Sequence, residues 1–144
     1  MTEQQILDDL VSSWVSLALE YAQGAPDLTT IYIYVSSERG SVYPEMFFEQ
    51  GGEIRYPTDV VGVDTGVERV RSVHRFQFED LRAAEARFSE IGVPQPTEYR
   101  ITFDVATRRT DMTLSRELIY ANDPVKVPER GLQYWLGDRA PQPF

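Results

Sequence analysis

Three sets of side chains in this 144-residue chain have the types and spacing to do chemistry. The run Val63-Asp64-Thr65-Gly66 holds a carboxylate in a short polar segment. Two such carboxylates, one from each copy of a symmetric dimer, could share a proton because both cannot ionise side by side. Glu45, Glu49 and Glu53 are odd-numbered neighbours, and on a strand they would share a face as an acid/base pair or part of a cation site. His74 is the only histidine, and its ordinary pKa lies near neutrality. Each set also has a plainer reading. Gly62 and Gly66 bracket Asp64 as turn residues. The Gln50-Gly51-Gly52 turn separates Glu53 from Glu45 and Glu49, no histidine or aspartate cluster joins them, and a solvated strand face is the better account. His74 stands beside Arg75 with no spaced serine–aspartate set or cysteine to act with, which favours a structural role. The plainer readings predict a protein that is not an enzyme, with no catalytic residue, metal site or cofactor.

Composition removes other chemistry. With no cysteine there is no thiol nucleophile, zinc–thiolate site or disulfide framework, and one histidine cannot build a multi-histidine metal site. A Gly-x-Ser-x-Gly elbow, a phosphate-cradling loop and a dinucleotide fingerprint are all missing. An apolar content of 42% in a chain of this size is enough for one core, so residues 1–144 read as a single domain. The opening Met-Thr-Glu-Gln-Gln lacks the features of a signal peptide, and no apolar run approaches a membrane span; both predict a cytoplasmic protein.

The elements that must position any site follow from periodicity. Leu7, Leu10, Trp14, Leu17 and Tyr21 recur at spacings of three and four, predicting a helix over 3–23 that buries Trp14. Ile31, Ile33 and Val35 alternate with Tyr32 and Tyr34, a strand with one aliphatic and one tyrosine face. A second strand spans 41–49, where Pro44 demands an edge or a bulge, and a third spans 53–56. Residues 57–66 read as irregular, and 66–75 have no decisive period. A second helix is expected at 78–91 on the stripe Phe78, Leu81, Ala84, Phe88 and Ile91. Strands follow from Tyr99 to Val105 and around Met112 and Leu114, with Leu118 and Tyr120 as later apolar members, and a helix over 128–138 ends the chain. The order α-β-β-β-α-β-β-α predicts an α+β fold: an antiparallel sheet of about five strands with helices packed on one face. Tyr32, Tyr34, Tyr43 and Trp135 could form a recognition surface, or a second sheet face covered by a helix; for Trp135 the covered face is the reading adopted.

Charge is distributed unevenly. The net charge is −9, and residues 1–66 hold 11 acids against the two bases Arg39 and Arg55, while residues 67–144 balance at 12 and 12. Such a potential opposes nucleic acid and anionic membranes, favours a basic protein, or does no more than maintain solubility.

Two likenesses to known families can be weighed. Asp64-Thr65-Gly66 resembles the active-site triplet of aspartic proteases, which implies a dimeric hydrolase using Asp64. That family's later apolar-apolar-Gly element has only Trp135-Leu136-Gly137 as a counterpart, inside the predicted last helix. The element order resembles the YezG-type antitoxins, immunity proteins of bacterial polymorphic-toxin systems. The likeness rests on the Trp14 helix, the Ile31-Tyr32-Ile33-Tyr34-Val35 strand, the Tyr99–Asp104 strand, Tyr120 with Asp123-Pro124, and the terminal Glu129 to Gly137 run. The irregular 57–75 stretch departs from that pattern. The resemblance implies a cytoplasmic protein that binds and neutralises a cognate toxin, commonly a nuclease, and it supplies no catalytic residues. If so, the acidic first half supplies the interface. Glu45, Glu49, Glu53, Asp59 and Asp64 are its candidates, with Tyr43 and Tyr56 as anchors. A regulatory or housekeeping interaction domain fits the same composition. The oligomeric state is left open by the sequence.

Overall fold

Thr2 starts the first helix with a reciprocal cap. Its Oγ1 accepts the Gln5 N–H at 3.2 Å, and the Gln5 side chain accepts the Thr2 N–H at 2.8 Å. The computed structural model describes residues 1–142. From that cap α1 runs Glu3–Tyr21, followed by β1 (Leu28–Glu38), β2 (Ser41–Gln50), β3 (Glu53–Arg55), α2 (Val67–Glu90), β4 (Glu98–Asp104), β5 (Thr110–Ser115) and α3 (Gly131–Leu136). Single 3-10 turns lie at Pro57–Asp59, Pro128–Arg130 and Gly137–Arg139. The strands form one antiparallel sheet in the order β3-β2-β1-β4-β5. This is the expected α+β architecture.

The alternation in β1 decides which side chains meet the long helices. Ile31, Ile33 and Val35, with Phe48 and Met46 across β2 and Phe103 and Ile101 across β4, are buried against α1 and α2. Trp14 is fully enclosed there, donating from Nε1 to the Gln77 carbonyl at 3.0 Å and meeting Tyr99 edge-on. The opposite face is also covered. The short α3 lies across Tyr32, Tyr34 and Phe47, with Leu132 buried and Trp135 edge-on to Tyr32 at 5.7 Å. Gly131 is required at that contact: a Cβ there would sit 2.1 Å from the Tyr34 ring.

Three expectations are corrected. The second helix begins at Val67, not 78, so the stretch without decisive period is helical. Its buried stripe is Val73, Gln77, Leu81, Ala84 and Phe88, while Phe78 and Ile91 are exposed. The stripe is hard to read because a glutamine occupies one of its positions. Gln77 is fully buried because its Nε2 donates to the Glu45 carbonyl at 3.0 Å. Third, Leu118 and Tyr120 lie beyond β5. The Thr97 hydroxyl donates to the Glu117 carbonyl at 2.6 Å and its N–H to the Ser115 carbonyl at 2.8 Å, and the buried Glu38 carboxylate accepts the N–H groups of Ile119, Tyr120 and Ala121. Those contacts turn the chain away from the ladder.

Pro44 sits where its missing donor costs nothing. β3 pairs only with Phe48, Glu49 and Gln50 of β2, so the Pro44 stretch has a strand on one side alone. There α2 covers the edge through Gln77, which takes up the Glu45 carbonyl.

Candidate partner-binding site

The seven candidate side chains fall in two environments. Glu45 is buried at the covered edge of β2, where its Oε1 lies 2.7 Å from His74 Nε2 on α2 and accepts the Met46 N–H. That contact holds the His74 pKa above its ordinary value, against the opposing effect of burial. Glu49 accepts the Tyr32 hydroxyl at 2.9 Å and Arg139 Nη2 at 3.0 Å, so the turn after α3 is clasped to β2. Tyr56 is half-buried edge-on against Phe47 at 5.1 Å, and Tyr43 is half-buried in the same cluster beside α3. Burial raises both phenol pKa values. All four make internal contacts.

Glu53, Asp59 and Asp64 face solvent. Glu53 pairs with Arg55 at 3.2 Å with three-quarters of its side chain exposed. Asp59 closes the 3-10 turn after Pro57, and its carbonyl accepts Arg55. Asp64 Oδ1 accepts the Gly66 N–H at 2.9 Å, a side-chain turn leading into α2.

Tertiary hydrogen bonds bring these residues to one end of the molecule. The buried Gln50 amide donates to the Pro26 and Val61 carbonyls and accepts the Val61 N–H. Gly51 donates to the Asp27 carbonyl, and Arg69 donates to the carbonyls of Asp64 and Glu20. The end of α1, the β2–β3 turn and the start of α2 therefore meet. Glu20, Asp27 and Glu68 join the three exposed candidates there, all on the surface. Four cations are nearby: Arg55 pairs with Glu53, Arg71 lies 3.8 Å from Glu68, Arg75 lies over the Phe76 ring at 5.2 Å, and Arg69 lies over the Tyr21 ring at 4.6 Å while spending donors on carbonyls. Large apolar side chains are exposed in the same region: Val61 at 55%, Val67 at 65% and Phe76 at 46%. Phe76 borders a cleft of about 170 Å³ between α1 and α2, with Leu17, Glu20 and Arg69 on its walls.

Glu20, Asp27, Glu68, Val61, Val67 and Phe76 were invisible as a group in the linear sequence. A sharper reading of the α2 stripe would have placed Phe76 on the outside.

A second polar cluster lies under α3 and is internal. Tyr34 donates to Glu98, and since each phenol has one proton, Tyr120 must donate to Tyr34. Burial is the main cause of the Tyr120 pKa being pushed up to about 12. Glu98 also forms an ion pair with Arg100, whose guanidinium reaches over Trp135. Among the described residues no three metal-binding side chains converge, and no helix is long and apolar enough to cross a membrane.

No protein-family model matches the chain, and no curated protein matches it.

Proposed function

We propose that this protein is an immunity protein that binds and neutralises a basic toxin through the end of the molecule carrying Asp59, Asp64 and Phe76. The observation that supports this reading is the company of exposed apolar and acidic side chains at that end. Val61, Val67 and Phe76 supply area that gains by leaving water, and the carboxylates of Glu20, Asp59 and Asp64 stand beside it, with Arg69, Arg71 and Arg75 on the α2 side. Solubility alone explains the acids but not the three apolar side chains beside them. The negative field speeds the encounter with a basic protein and repels nucleic acid, which suits a protein competing with the substrate of a nuclease. The resemblance to the YezG-type antitoxins points the same way. Glu45, Glu49, Tyr43 and Tyr56 are support residues in this reading, and the contact set is Asp59, Asp64, Glu53, Glu20, Val61 and Phe76. The protein acts by occupying a surface and needs no cofactor.

The test has two stages. The tagged chain is used to capture a partner from its native host, and the partner is then expressed alone and with this protein. A basic partner that arrests growth alone and is harmless with the wild-type chain supports the reading. Phe76→Ala and Asp59→Lys should restore the arrest while keeping the wild-type circular dichroism. A partner that arrests no growth transfers the surface to a regulatory interaction domain. A partner bound equally well by both variants removes the surface from consideration.

A further inference from the structure

β5 is an edge strand with one charge, Asp111, and few of the other devices that normally close an edge. The Ser115 carbonyl accepts from Thr97 and the Arg109 carbonyl accepts from Asp104. Odd-numbered residues of β5 therefore turn their backbone groups toward β4, and Thr110, Met112 and Leu114 turn theirs outward. Among the described residues no strand pairs with those outward groups. The Thr-Asp-Met-Thr-Leu-Ser strand contains no proline or lysine, and its ladder with β4 runs through six successive pairs with no bulge. The opposite side of the sheet is treated differently: β3 has three residues with Pro57 close behind, and the uncovered part of β2 lies under α2. Beside β5, on the helix side, a groove of about 200 Å³ has mixed walls, with Val11, Val15 and Phe103 beside Ser12, Arg108 and Thr110. Met112 and Leu114 point to that same side, half-buried.

We infer that the β5 edge pairs with β5 of a second copy of this chain, antiparallel about a two-fold axis at Thr113, to make one continuous ten-stranded sheet. A two-fold axis perpendicular to the sheet keeps α1 and α2 of both copies on the same side. Directly opposite residues then share a face. With Thr113 on the axis, Met112 faces Leu114 of the second copy. Both have outward backbone groups, so they exchange N–H···O bonds, twice by symmetry. Their side chains bring apolar surface to the groove side of both copies. On the other face Asp111 comes opposite Ser115 of the second copy, again twice, and like charges do not meet. A register centred on Met112 would pair Met112 with itself and set Leu114 against Thr110, giving one apolar pair instead of two. The second copy thus supplies the apolar partner of both Met112 and Leu114. β5 lies four strands from β3, about 19 Å across the sheet. The acidic end remains open in both copies, and the dimer stands whether or not the partner is a toxin.

Thr113 is exposed and the chain has no cysteine, so Thr113→Cys is a clean probe. Residues opposite each other in a non-hydrogen-bonded antiparallel pair have Cα atoms about 4.5 Å apart, within disulfide reach. The two Asp111 positions would lie four residues out of step, about 13 Å apart. The wild-type chain should sediment as a concentration-dependent dimer. Mild oxidant should cross-link Thr113→Cys at least tenfold faster than Asp111→Cys. Thr113→Lys, which sets two ammonium groups against each other on the axis, should sediment as a monomer with unchanged circular dichroism. A wild-type chain that is monomeric at every concentration overturns the inference. So does a dimer that survives Thr113→Lys, or equal cross-linking at 111 and 113. None of these results depends on capturing a partner.

Discussion

His74 on α2 and Glu45 on β2 meet at 2.7 Å beneath the covered edge of the sheet, 29 residues apart in sequence. The carboxylate favours the imidazolium, and the His74 pKa is raised. A group whose folded pKa exceeds its unfolded value contributes stability that is fully present below the unfolded pKa, here about 6.5, and is lost as pH rises through the folded value. Urea midpoints of the wild-type chain measured from pH 5.5 to 9 should therefore fall across that window relative to His74→Gln. Parallel curves for the two proteins would show that the pair has no energetic link to folding.

Trp14 fills the centre of the core and donates a further hydrogen bond to the Gln77 carbonyl. Trp14→Ala should destabilise the protein by about 3–5 kcal/mol, the range for deleting a buried aromatic. Trp14→Phe keeps most of the apolar area and removes the donor, while the Gln77 carbonyl keeps its place in the α2 ladder, so the cost is that of one hydrogen bond, about 0.5–1.5 kcal/mol. Chemical denaturation of both variants checks the order, and equal losses would mean that the hydrogen bond contributes nothing.

Gly131 and Tyr34 cannot both keep their places if Gly131 gains a side chain. Tyr34 is anchored by Glu98 and Tyr120, so the ring cannot swing aside cheaply. Gly131→Ala should cost about 1–3 kcal/mol as overpacking. In a Tyr34→Ala background the same substitution should cost far less, because the clashing ring is gone. A double-mutant cycle reads that coupling; additive losses would place the cost in the backbone of α3 instead.

Glu38 is buried with its carboxylate on three consecutive N–H groups, Ile119 to Ala121. Hydrogen bonds to a charged acceptor contribute about 1.5–3 kcal/mol each. Glu38→Gln should raise amide exchange at Ile119, Tyr120 and Ala121 by at least tenfold, while exchange at Ile33 changes only with global stability. Unaltered exchange at the three amides would mean that other contacts hold the segment.

Charge reversal should separate the two groups of candidate residues. Asp59→Lys and Asp64→Lys should slow association with a basic partner and weaken its salt dependence; Asp59→Lys should leave the melting temperature in place, and Asp64→Lys should lower it only slightly, through loss of the Gly66 N–H contact. Glu45→Lys should lower the melting temperature, because it places a second cation against His74. Stopped-flow rates across a salt series, beside thermal melts, distinguish the outcomes. Equal effects of all three on association alone would contradict the division between surface and support.

Local pattern carried most of the fold. Alternation in Ile31 to Val35 determined which face of β1 meets the long helices, since a strand has period two and a slip of one residue would expose Ile33. Spacings of three and four placed Trp14 inside for the same kind of reason. Pro44 announced an edge because it lacks a donor. What local pattern could not carry was the destination of polar groups. Gln77 is a core residue only because the Glu45 carbonyl is beside it, and Glu45 leaves the surface only because His74 comes from another element. Period detects apolar burial, whereas polar burial depends on a partner distant in sequence. The acidic end followed the same rule. Asp59 and Asp64 were legible as charges, but Gln50 and Arg69, by tying three segments together, decided which acids and which exposed apolar residues stand side by side.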